Sequence, residues 1–145
     1  MEERRNRLRV GAAALGLAAL AAAALPAWAC TPPVEGVRLE SSRIVLSYGR
    51  PVAEVGKHFA LDIGACAKSG PDPRQLKVDA HMPEHRHGMN YAPSVKKLGP
   101  GRWRAEGLLL HMPGRWEFVF EVDSSDVLRS SFLASSFTEE ERRRI

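Results

Sequence analysis

Two stretches of this chain alternate apolar and polar residues with a period of two, which is the spacing of a half-buried strand and not of a helix. Leu76, Val78, Ala80 and Met82 fall on one face, with Lys77, Asp79 and His81 on the other. Trp116, Phe118, Phe120 and Val122 likewise share a face opposite Glu117 and Glu121. Successive side chains of a strand point to opposite faces, so both stretches bury one face and wet the other. No helix-period segment of useful length precedes the C-terminal tail. Further short apolar or alternating runs cover residues 37–39, 44–48, 58–64, 95–98, 102–111 and 127–133. With 75–82 and 115–122 they make a series of strands punctuated by turn residues.

The punctuation is specific. Gly99-Pro100-Gly101 joins two strands, and Asp123-Ser124-Ser125-Asp126 makes the last hairpin loop. Met112-Pro113-Gly114-Arg115 suits a type II turn, in which Pro presets φ and Gly supplies a positive one. The pattern predicts an all-β fold: an immunoglobulin/cupredoxin-like antiparallel sandwich of two sheets and about seven strands.

Residues 1–29 stand outside that fold. Arg4, Arg5, Arg7 and Arg9 give a positive start, residues 10–25 are an Ala/Leu run, and Ala27-Trp28-Ala29 has the form of a cleavage site. This is the order of a secretory signal peptide, with an uncleaved anchor as the alternative. The expected organisation is a signal peptide over 1–29, a β-sandwich domain over 30–136 and a charged tail over 137–145. Four Arg and two Glu leave with the leader, so the 21 basic and 17 acidic residues become 17 and 15, a net charge of +2. No basic stripe interleaved with aromatics remains, which argues against nucleic acid as a partner.

The chain has two cysteines, Cys30 and Cys66, and both survive cleavage. In an exported protein an even count favours a disulfide. Lipid attachment at Cys30, directly after the cleavage site, is the alternative, although Ala27-Trp28-Ala29 is a poor lipobox. Free thiols or copper ligands are the third reading. The expected location is the periplasm or the exterior, with no membrane span in the mature form.

Histidine and methionine are bunched. The run His81-Met82-Pro83-Glu84-His85-Arg86-His87-Gly88-Met89 holds three of the five histidines and two of the four methionines. His-Met-Pro then returns at His111-Met112-Pro113, leaving only His58 and Met1 elsewhere. Imidazole with thioether suits copper, above all Cu(I), better than hard cations. Zinc is the weaker fit because it ignores thioethers, and no Cys sits in the motif to make a blue-copper site. The expected ligands are His81, His85, His87, Met89, His111 and Met112. By strand parity Met82 faces the core, and His58 lies apart as an ordinary surface residue. Each motif read alone has a plainer meaning, such as a surface-strand histidine, a core-filling methionine or a solvated loop.

Topology bears on whether the two motifs meet. If consecutive strands alternate direction, 75–82 and 102–111 both run toward the same end, with 95–98 running back between them. His81 and His111 then finish at that end, where each following Pro stops the ladder. Gly88 would permit a sharp turn aiming Met89 back at His85 and His87. Trp103 and Trp116, core residues first, are expected near His111.

The stretch from Asp79 to Tyr91, with the later run from Gly107 to Glu117 that contains His111-Met112-Pro113-Gly114-Arg115-Trp116, resembles the small exported YtkA-like (FixH-like) domains of bacteria. The resemblance spans about a third of the chain. It implies an immunoglobulin-like sandwich and says little about activity. The His/Met spacing is also similar to that of the PCuAC periplasmic copper chaperones. Twenty-one residues separate Met89 from His111, and Met112 follows. The first gap, Met82 to Met89, is shorter than in that family, and the last pair lacks its intervening residue.

Two functions follow. One is an exported copper-binding protein, a chaperone or homeostasis factor, with a copper donor or acceptor protein as partner. The other is a metal-free interaction module whose His87-Gly88-Met89-Asn90-Tyr91 loop recognises a partner protein. No serine nucleophile elbow or Cys-His arrangement is present, and no enzyme is expected.

Overall fold

The computed structural model describes residues 30–136 and 139–144; the signal peptide expected over 1–29 lies outside the described residues, as do 137–138 and 145. The strands are β1 (Val37–Glu40), β2 (Ile44–Tyr48), β3 (His58–Ala67), β4 (Leu76–Met82), β5 (His87–Gly88), β6 (Ser94–Gly99), β7 (Arg102–Leu109), β8 (Gly114–Val122) and β9 (Asp126–Ala134). A short helix, α1 (Glu139–Arg143), follows. One sheet has the order β1-β2-β3-β7-β6 and the other β5-β4-β8-β9. Every strand ladder is antiparallel. The fold is therefore a two-sheet antiparallel β-sandwich, as the alternation requires.

The core lies between the sheets. Leu76, Val78, Ala80 and Met82 of β4 and Trp116, Phe118, Phe120 and Val122 of β8 are all buried, facing Leu46, Tyr48, Ile63, Ala65 and Ala105. Tyr48 packs edge-on to Phe118 at 5.5 Å between ring centres. Its hydroxyl hydrogen-bonds Ser130 Oγ at 2.7 Å, so the buried ring keeps a polar partner and ties one sheet to the other. A second tie closes the far end. Ser41 Oγ donates to Asp126 Oδ1 at 2.9 Å, and Arg43 Nη2 donates to Asp126 Oδ2 at 2.5 Å, linking the β1–β2 turn to the start of β9. Cys30 and Cys66 are joined in a disulfide with Cα atoms 5.9 Å apart. Among the described residues no helix is long and apolar enough to cross a membrane.

The strand expected over 58–64 runs on to Ala67 and several other ends move by a residue, and two differences bear on the histidine motifs. The strand expected over 102–111 stops at Leu109, leaving His111 in the connection to β8. Gly114 has the expected positive φ, at 128°, but opens β8 opposite Ala134 and does not close a tight turn. A Cβ on Gly114 would stand 2.8 Å from Met82 Cε, so the glycine also leaves room for the methionine beneath. The Met112 carbonyl accepts the Trp116 indole N–H at 3.0 Å, which shapes the bend from the core side.

Candidate metal site

Both His-Met-Pro copies finish at one end of the sandwich, and the descent between them has two parts. β5 runs antiparallel to β4, and β6 antiparallel to β7. Because β4 and β7 both run toward that end, β5 and β6 are successive legs of the way back, the chain crossing from one sheet to the other between them. β5 is a strand that sequence periodicity missed, because two residues are too few to alternate visibly.

The reversal from β4 into β5 is tight. His85 N–H donates to the Met82 carbonyl at 3.2 Å, and Arg86 takes a φ of 52°. The sharp turn expected at Gly88 is therefore made at Arg86. Gly88 lies in β5 opposite His81, and His87 lies opposite Met82. Directly paired residues of an antiparallel ladder share a face. His87 thus projects on the side of Met82 and the opposite sheet, and His81 projects on the outer side.

That parity sorts the expected ligands. His85, His87 and His111 are all exposed, and their rings form a chain. The centres of His85 and His87 are 6.4 Å apart, and those of His87 and His111 are 5.9 Å apart. His111 stands edge-on to Trp116 at 5.5 Å, and Trp116 is fully buried. An imidazole nitrogen bonds a metal at about 2 Å and lies about 1 Å from its ring centre, so two rings sharing an ion have centres about 5–6 Å apart. The spacings lie at or just beyond that reach. Among the described residues no three His, Cys, Asp or Glu side chains already close around an ion. Rotation of exposed rings is what capture would need.

The other expected donors lie elsewhere. His81 Nε2 is 3.5 Å from Glu117 Oε1 on the outer face, and the same oxygen accepts from Arg129 Nη1 at 2.8 Å. Met82 is 1% exposed. Met89 and Met112 are partly buried and pack against the core; the Met89 N–H donates to the Ala80 carbonyl at 3.2 Å. Trp103 does not approach His111, because it is the second residue of the eight-residue β7, and it lies beneath the Lys97 ammonium instead. His58, set aside as ordinary, opens β3 opposite Leu109 and so shares the histidine end. The pairing of β3 with β7 would have been needed to foresee this.

A cleft of about 570 Å³ lies along β4 from Met89 and Tyr91 toward Leu76, lined by both apolar and charged side chains, Lys77, Asp79 and Glu121 among the latter; His85, His87 and His111 do not line it, and Tyr91 is 61% exposed there. Comparison with family models, curated proteins and solved structures gives no match for the chain.

Proposed function

We propose that the chain is an exported copper-binding protein, a chaperone or homeostasis factor, that takes up copper at the histidine end of the sandwich. The observation that carries this reading is the approach of His87 to His111, 5.9 Å between ring centres, by residues 24 apart in the chain, with His85 beside them. Three imidazoles at one end of a rigid sandwich, His87 on an edge strand and the other two on connections, make a donor set copper accepts, since it binds imidazole more tightly than other first-row divalent metals. Export fits the disulfide, which persists in oxidising compartments. A periplasmic donor or acceptor of copper is the partner this role requires.

The test is a titration of the purified chain with copper against competing chelators, beside a His85→Ala/His87→Ala/His111→Ala variant. The expected result is one-to-one binding and a loss of at least about 100-fold in the variant, with the metal-free unfolding temperature little changed because all three side chains are exposed. Equal affinity in the variant would exclude the site.

The exposed Tyr91 on a cleft lined by both apolar and charged side chains favours a second reading, a metal-free module that recognises a partner protein through the 87–91 loop. Copper binding no tighter than about micromolar in the parent chain would make this the leading function.

A further inference from the structure

Imidazoles and thioethers are neighbours in the sequence but differ in burial. His85, His87 and His111 are exposed, whereas every methionine near them serves the core. Met82 fills the space beneath Gly114 and is 1% exposed. Met112 and Met89 pack against the core. Their backbones are held as well, Met112 by the Trp116 indole and Met89 by the Ala80 carbonyl. Drawing either thioether out to an ion would expose apolar surface now packed against the core. His81 is turned away on the outer face toward Glu117.

The donor set reachable without unpacking is thus three imidazoles, with the remaining positions open to water. Cu(II) takes nitrogen and oxygen donors in a tetragonal array, whereas thioether is what favours Cu(I). Zn(II) also accepts three imidazoles, but stands below Cu(II) in affinity at such a site. Resting on the copper-binding reading, we infer that the ion this site is built for is Cu(II), held by His85, His87 and His111 with water completing its shell, while Met89 and Met112 remain packing residues. The reversal against the expectation of Cu(I) comes from where strand parity and packing put the sulfurs.

The experiment loads the full chain with Cu(II) and records its electron paramagnetic resonance spectrum, then measures Cu(II) and Cu(I) affinities by competition. A Met89→Leu/Met112→Leu variant is compared with the parent; Leu conserves apolar volume and removes sulfur. The expected result is a tetragonal Cu(II) signal with nitrogen hyperfine structure, and Cu(II) affinity within about threefold of the parent in the methionine variant. A Cu(II) affinity at least about tenfold weaker in that variant would overturn the inference. So would Cu(I) binding that depends on the methionines without a stable Cu(II) complex, although the copper-binding reading would then stand. Failure of the parent to bind either ion would remove both.

Discussion

Asp126 shows how one residue can tie the two sheets together. Its carboxylate is nearly buried and receives Ser41 Oγ and Arg43 Nη2 from the β1–β2 turn. Burial alone would push the carboxyl pKa up; the hydrogen bonds from Arg43 and Ser41 and the charge of Arg43 outweigh it and hold the group below its ordinary value. A carboxylate whose folded pKa is depressed gives stability that is fully present above its unfolded pKa and lost as pH falls through the folded one. Stability should therefore decline below about pH 4. Asp126→Ala should cost about 1–3 kcal/mol at neutral pH by removing the hydrogen bonds that Ser41, Arg43 and Ser125 donate to a charged group. The same variant should show a shallower acid limb in chemical unfolding measured across that range. An unchanged acid limb would mean that other carboxylates govern it.

At the scale of single elements, the β4–β5 reversal sets the geometry of the candidate site. Arg86 sits at a φ of 52°, a region proline cannot reach. Arg86→Pro keeps all three histidines but forbids this turn, and should weaken copper binding by at least about tenfold. Because β5 is a two-residue exposed edge, global unfolding should move little; a large stability loss would show that the hairpin carries more of the fold than its size suggests. What the sequence made legible follows from the same physics. β4 and β8 could be read residue by residue because one face is buried and the other wet, so their alternation is strong. β5 could not, since its position comes from pairing with His81 and Met82 and not from its own pattern. Parity did predict that Met82 turns inward. It could not predict that Met89 and Met112, outside regular alternation, also pack on the core, nor that His81 on the outer face would lie apart from the other three.

For the whole molecule, the disulfide and the histidine cluster occupy opposite ends. β3 begins at the histidine end with His58, opposite Leu109, and reaches Cys66 eight residues later. At about 3.3 Å per residue that is a separation of about 26 Å along the strand. The sulfurs are thus too far from His85, His87 and His111 to share an ion with them in this fold, and copper should not depend on them. The bond closes a loop between residues 36 apart in the sequence, which on the chain-entropy model stabilises by about 4 kcal/mol through restriction of the unfolded chain. A Cys30→Ala/Cys66→Ala variant should accordingly unfold at least about 10 °C lower, yet bind copper with the parent's affinity at temperatures where it remains folded. Loss of copper affinity in the folded variant would mean that the two ends are coupled through the sandwich. An unchanged unfolding temperature would mean that the segment around Cys30 is held by the sheet without the bond.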